Sequence, residues 1–496
     1  MKELPKYIVL EKIYKSRSIW LNKLGVFILS INQQRKLGGN RIPKNENLSF
    51  EVQTNPSIPP LAWICKISDD KYHFTAGENV EHSKEMIFEG AWDGDFKASK
   101  VEDSEFVFGS GAVLKKGKVI FIPPKHTLEL LYVLHDRKGE NIYVSNSICF
   151  ILQSAKVNLN GSFFKQISDC LNSSGDIATR RGIDRYEQLI ASDSRYSFYR
   201  MMFYNFSVDS FGKIQMYRKL PKKYFSNYPE YRKFLSDKTA QIFANARSKD
   251  RKFAYNPITS VSKGYDSPAV SVIAKENGCE DALTLDVVVG GVDDSGTKIA
   301  KKLGMNTTSC KYFASDKVSS LYMELKGRLK DISLEFIASS GVGDDVTFYP
   351  FRKELKKKLF LTGIYGDAAW GRVGMLASKL SSGEEPLNPG LPVQISYCKS
   401  INEFRLMTNF IYVPLPFIGA RFPYPLKKIS NSPGMKEYSI GGDYDRPIPR
   451  RIVEEAGIQR SDFGAIKSAT APLIMNHREL FKEAIETVSQ RYVLQK

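Results

Sequence analysis

Ser262-Lys263-Gly264-Tyr265-Asp266-Ser267 decides how this chain is read. The six residues follow a β-rich run, Pro257-Ile258-Thr259-Ser260-Val261, and precede Pro268-Ala269-Val270-Ser271-Val272-Ile273-Ala274, which is helix-like and ends at Gly278. Strand, small-residue turn and helix start together make an anion site. The first N–H groups of a helix lack intrahelical partners, and the dipole there favours negative charge. Gly264 allows close backbone approach. Ser260, Ser262 and Ser267 add hydroxyls, Lys263 adds charge, and Asp266 is placed to hold Mg²⁺ against phosphates. No G-x-x-x-x-G-K-[ST] loop occurs around these residues. The competing reading is a serine-rich turn with no ligand.

The spacing S-x-G-x-D-S resembles the pyrophosphate-binding loop of the PP-loop ATP pyrophosphatases, usually S-G-G-x-D-S, with Lys263 where glycine is common. Three later stretches extend the resemblance. Ala282-Leu-Thr-Leu-Asp-Val-Val-Val289, then Asp293-Asp-Ser-Gly-Thr-Lys-Ile-Ala-Lys-Lys-Leu-Gly304, reads as a second strand and helix with acidic residues between them. An ordinary α/β repeat accounts for it equally well. Leu359-Phe-Leu-Thr-Gly363-Ile-Tyr365-Gly-Asp367 is similar to the asparagine synthetase motif T-G-x-G-x-D-E-x-x-G. It ends an apolar strand in a glycine-rich turn that presents Asp367. The plain alternative is that Asp367 caps the next helix. Pro414-Leu-Pro-Phe-Ile-Gly-Ala-Arg421, the arginine-rich Tyr444–Gly457 run and Phe463-Gly-Ala-Ile-Lys467 follow the order of the last third of that domain.

The chain therefore resembles the asparagine synthetase-like branch, which includes β-lactam synthetases and lasso-peptide cyclases. The resemblance implies an ATP-dependent, AMP-forming amide ligase. ATP is bound through Ser260, Ser262, Lys263, Gly264, Asp266, Ser267, Gly363 and Asp367, and Mg²⁺ through Asp266 and Asp367. Lys467 then steadies charge at the α-phosphate, although a solvated lysine is the common role of that residue type. Ile364 and Ala368 depart from the family pattern and put in doubt which group handles the proton of the attacking amine. Tyr365 stands next in line. The implied partners are a small-molecule or peptide carboxylate and an amine donor.

The implied fold class is α/β plus α+β: an N-terminal glutaminase-like (Ntn) sandwich over 1–228, then a parallel-sheet PP-loop synthetase domain over 229–496. The residues themselves support two parts. Glu105–Leu114 and Val119–Pro123 read as a hairpin, and Glu129–Leu134 and Asn141–Ser145 as strands. Ser145-Asn-Ser-Ile opens a capped helix, and helical spacing begins at Glu230. Family members that use glutamine carry a cysteine at position 2. Lys2 stands there, so no glutaminase activity is expected.

Length and composition fit a packed protein of two parts. The six cysteines are dispersed without a C-x-x-C pair, which fits reduced thiols and a cytoplasmic location, and the five histidines form no metal pattern. No apolar run is long enough for a membrane span. The formal charge of +18 admits a nucleic-acid partner, and hence a PP-loop enzyme that modifies tRNA or a nucleobase. Basic residues are spread over the chain among 54 acids, so a mixed solvated surface is the favoured reading. A non-catalytic relative of the same fold is the third.

Overall fold

Short alternating strands before residue 218 build two facing sheets in the computed structural model, which describes residues 48–172, 188–219, 222, 224–288, 292–310, 348–372, 398–442, 444–464, 482 and 485–486. In chain order the strands are β1 (Ser49–Thr54), β2 (Trp63–Ser68), β3 (Lys71–Ala76), β4 (Glu81–His82), β5 (Met86–Trp92), β6 (Val107–Lys115), β7 (Lys118–Ile122), β8 (Leu131–Asp136), β9 (Asn141–Ser145), β10 (Leu189–Ser192), β11 (Tyr196–Met201), β12 (Asn205–Val208) and β13 (Ile214–Tyr217). One sheet runs β1-β3-β2-β9-β8-β11-β10 and the other β13-β12-β7-β6-β5-β4. The β6–β7 hairpin turns on Lys116 and Gly117, both with positive φ, the geometry whose twist matches the paired strands.

The period of two sorts the side chains of the first sheet. In β8, Leu131 and Val133 point between the sheets with Trp63, Cys65 and Phe121. Tyr132 and Leu134 face the other way, toward helices α1 (Ile148–Ser154) and α2 (Ser162–Asn172). Ser147 caps α1 by accepting from Phe150 N at 3.3 Å.

From α3 (Tyr228–Ala246) the pattern changes. Asn227 caps this helix by accepting from Glu230 N, and the Glu230 carboxylate accepts from Ser226 N. Strands β14 (Asn256–Ser260), β15 (Asp281–Leu285), β16 (Asn306–Cys310), β17 (Lys358–Thr362) and β18 (Ile411–Pro414) form an all-parallel sheet in the order β16-β15-β14-β17-β18. Helices α4 (Asp266–Glu276), α5 (Thr297–Lys302), α6 (Gly366–Trp370), α7 (Cys398–Thr408), α8 (Pro423–Ser430) and α9 (Pro447–Glu455) accompany it. Chain order reverses direction between β14 and β17. The fold class is thus mixed α/β, with one parallel sheet, two larger antiparallel-rich sheets and a two-stranded pair, Val287–Val288 with Val292–Asp293, among the described residues. Lys2 and Lys467 lie outside the described residues.

α3 begins where the chain was expected to divide, and described residues from both sides of that point share one hydrophobic cluster. A buried polar seam joins the sheets to α7. Arg405 forks onto both Glu89 oxygens, at 2.6 and 2.9 Å, and its Nε meets Glu129, which in turn contacts His126 at 2.9 Å. Beside it, Glu403 accepts from the Ser147 hydroxyl at 2.9 Å and from Ile148 N at 2.8 Å. Burial pushes the Glu403 carboxyl up to about 7, against the pull of those donors. The folded protein therefore holds a proton there that the unfolded chain has released between the ordinary glutamate value and about 7. This contribution is fully present in acid and fades as pH rises through that window. Glu403→Gln should flatten the pH dependence of stability by up to about 3 kcal/mol between pH 4.5 and 8. Urea unfolding at both pH values measures it. An unchanged slope would show that Glu403 titrates alike in both states.

Candidate active site

β14 ends at Ser260, and Val261 to Tyr265 turn the chain into α4. The turn is closed by its own side chains. Ser262 N donates to Ser267 Oγ at 3.0 Å, the two serine hydroxyls lie 2.9 Å apart, and Gly264 N donates to Ser262 Oγ at 3.2 Å. Lys263 N donates to Asp294 Oδ1 at 3.1 Å, and Gly464 N donates to Lys263 O at 2.7 Å. The serines expected to face phosphate thus face each other, leaving the start of α4 as the donor surface of the loop. The Lys263 ammonium is drawn aside to Asp293. Ser260 closes β14, and its carbonyl accepts from Ser271 Oγ at 3.2 Å.

Gly264 was expected to let the backbone come close to a ligand. Its backbone φ is not positive, and a methyl there would make only ordinary contacts, 3.4 Å from Ser262 Oγ and 3.9 Å from the Tyr444 hydroxyl. The protein itself does not require glycine at this position. What the missing side chain leaves open is the space beneath Tyr444.

The second loop lies against the first because β14 and β17 are neighbours. Gly363 and Gly366 press on Asp266: a Cβ on Gly363 would come within 2.6 Å of Asp266 C and Ser267 N, and one on Gly366 within 2.3 Å of Asp266 Cγ. These two glycines are required by a close approach. Tyr365, between them, holds φ +74°, a conformation rare for a bulky residue. Its ring is buried and stacks on Phe417 at 4.4 Å, and burial raises its phenol above the usual range. Asp367 is exposed in the first turn of α6, with Oδ1 accepting from Ala368 N at 3.0 Å.

Arg446, just before α9, bridges the two carboxylates. One guanidinium nitrogen binds Asp266 and the other is 4.0 Å from Asp367 Oδ2. The two acids thus share one cation at unequal distances. Among the described residues no group of three or more His, Cys, Asp or Glu converges on a point, so protein ligands beyond these two are not supplied here.

Three groups escaped the sequence reading. Asp294 is buried behind the loop, and burial pushes its carboxyl up to about 6. Arg450 holds the Tyr265 hydroxyl from α9. Lys427, buried on α8, donates to Ala368 O at 3.1 Å and to Gly371 O, so its ammonium closes the C-terminal end of α6. Burial, with Arg446 nearby, pushes this amine down to about 8, while Asp367 acts in the opposite direction. Nothing in Leu426-Lys427-Lys428 marks the first lysine as the buried one, because the choice depends on which face of α8 meets α6.

Gly366→Ala should cost about 1–3 kcal/mol of stability by overpacking and displace the Asp266 carboxylate. Urea unfolding and the Mg²⁺ dependence of ATP binding measure the two effects. If both stay at wild-type values, the turn does not position Asp266. Neither a scan of protein-family models nor a search of curated proteins returns a match to this chain.

Proposed function

We propose that the protein is an ATP-dependent, AMP-forming amide ligase of the asparagine synthetase-like kind. One observation carries the reading: the S-x-G-x-D-S loop and the T-G-x-x-G-D turn occupy the C-terminal ends of adjacent parallel strands at the point where strand order reverses, with Asp266 packed on the Gly363–Gly366 turn. Open parallel sheets bind ligands at such switch points. The start of α4 receives the triphosphate, with Arg446 near the same two acids. Mg²⁺ held by Asp266 and Asp367 would neutralise the pyrophosphate as it leaves.

In this reading a substrate carboxylate oxygen attacks the α-phosphorus, the α–β anhydride bond breaks and pyrophosphate departs. An amine, or free ammonia, then attacks the acyl carbon, loses a proton and expels AMP. Lys467 steadies the charge that develops at the α-phosphate. The buried ring of Tyr365 lines the turn; burial keeps its phenol protonated, so its hydroxyl is read as a hydrogen-bonding group at the site, and the amine's proton leaves to solvent. The two facing sheets with α1 and α2 are read as a glutaminase-like (Ntn) sandwich, supported by their layering.

ATP–pyrophosphate exchange driven by candidate carboxylic acids tests the proposal. Label should enter ATP only with Mg²⁺ and a suitable acid. The salt link from Arg446 to Asp266 favours a second reading, a non-catalytic relative in which the guanidinium permanently fills the cation position. ATP binding that is indifferent to Mg²⁺, with no exchange for any acid, would select it.

A further inference from the structure

Away from the two strand-end loops, three cations meet where the second sheet adjoins the segment after β18. Lys125 and Arg421 share a small platform, Phe203-Tyr204-Asn205. Lys125 Nζ donates to Phe203 O and to Asn205 Oδ1, the latter at 2.6 Å. Arg421 donates to the Tyr204 hydroxyl at 3.4 Å and to Lys219 O at 3.5 Å, with its guanidinium 5.6 Å from the Tyr204 ring centroid. Lys219 Nζ donates to Asp103 O at 3.1 Å. The platform is itself unusual, since Phe203 holds φ +61°.

All the acceptors of these cations are neutral oxygens. Among the described residues none of the three meets a carboxylate. Glu105, on the same seam, already accepts the Tyr224 hydroxyl at 2.5 Å, and the Asp103 carboxylate turns to Lys115 at 3.5 Å. The Arg421 Nε–H is buried and has no acceptor. Buried charged donors are normally satisfied, and an unpaired one beside further basic groups suits an anion.

We propose that Lys125, Lys219 and Arg421 form an oxyanion-binding site, which takes a phosphate or carboxylate group of a small ligand against the Tyr204 edge of the seam. Lys219 is exposed and Arg421 half-buried, so the site opens to solvent on the Lys219 side. Burial, with Arg421 and Lys219 nearby, holds the Lys125 amine well below the usual lysine range, and an arriving anion would pull it back up. The site stands on its own contacts and does not rest on the ligase reading.

Calorimetric titration of the full chain with inorganic phosphate, and separately with succinate, tests it. At least one of the two should bind, and the one that binds names the source of the oxyanion. Arg421→Gln should weaken that binding tenfold or more, and Lys219→Gln severalfold. Ser262→Ala, in the other loop, should leave it unchanged. Lys219 is exposed, so its variant reports on the site even where Arg421→Gln fails to fold. No binding of either anion, equal affinity in wild type and Lys219→Gln, or loss of binding in Ser262→Ala would overturn the assignment.

Discussion

Asp266→Asn and Asp367→Asn should each lower ATP–pyrophosphate exchange by about 10²–10³-fold, the usual effect of removing one preorganised charge from a transition-state site. The two variants should differ in their side effects. Asp266 is largely buried and bound to Arg446, so its loss leaves that guanidinium, among the described residues, with Asp367 at 4.0 Å as its remaining carboxylate. Asp367 is exposed and holds one backbone amide in its own helix turn. Stability should therefore fall measurably in Asp266→Asn and little in Asp367→Asn, while both lose the Mg²⁺ requirement for ATP binding. Exchange rates, together with ATP affinity with and without Mg²⁺, decide the matter. Wild-type exchange in either variant would remove that aspartate from the proposed site.

Arg405→Met should destabilise the protein by about 3–5 kcal/mol, the typical cost of breaking a buried ion pair from one side. Arg405, Glu89 and Glu129 are all essentially inaccessible to solvent. Without the guanidinium, two carboxylates remain buried and close together. In the intact seam burial, with Arg405 adding to it, holds the His126 imidazole down to about 3. Removing all three charges with Arg405→Met, Glu89→Gln and Glu129→Gln should recover much of the loss, since apolar or neutral replacements of buried ion groups are often tolerated. Urea unfolding at neutral pH measures both. A loss below about 1 kcal/mol in the single variant would mean that water reaches this seam.

Much of the fold was legible because it is local. The β6–β7 hairpin follows from strand-forming runs around Lys116-Gly117, and the start of α1 from Ser147 ahead of an apolar run. The α4 helix follows from Pro268 in its first turn and Gly278, with φ +86°, past its end. Each depends on neighbours within a few residues, which the chain states directly. The strands β1 to β5 were not assigned, because the register that makes them a sheet is set by partners far along the chain.

At the candidate site the same division holds. The two glycine-bearing loops were visible as motifs, and parallel-sheet geometry required them to lie at one edge. Their contact was not visible. That Gly363 and Gly366 are required by Asp266, whereas Gly264 has room for a methyl, emerges only when β14 and β17 are paired. Arg446 lies 180 residues from Asp266 in sequence, and Lys427 56 residues from the Gly371 carbonyl it holds. No spacing rule links such positions, because the energy of each contact comes from burial and direction in space.

Sequence by itself determined the local elements, the alternation from strand-rich to helix-and-strand chain, and the small-residue turn between β14 and α4. Those depend on backbone preference and on side chains a few residues apart. Only the tertiary structure decided which charges are buried and what they meet. It turned the serines of the loop toward each other, set Arg446 between two aspartates, and left Arg421 with a buried donor that no described residue accepts. Desolvation and pairing are properties of packed surfaces, and the chain has those surfaces only once it has folded.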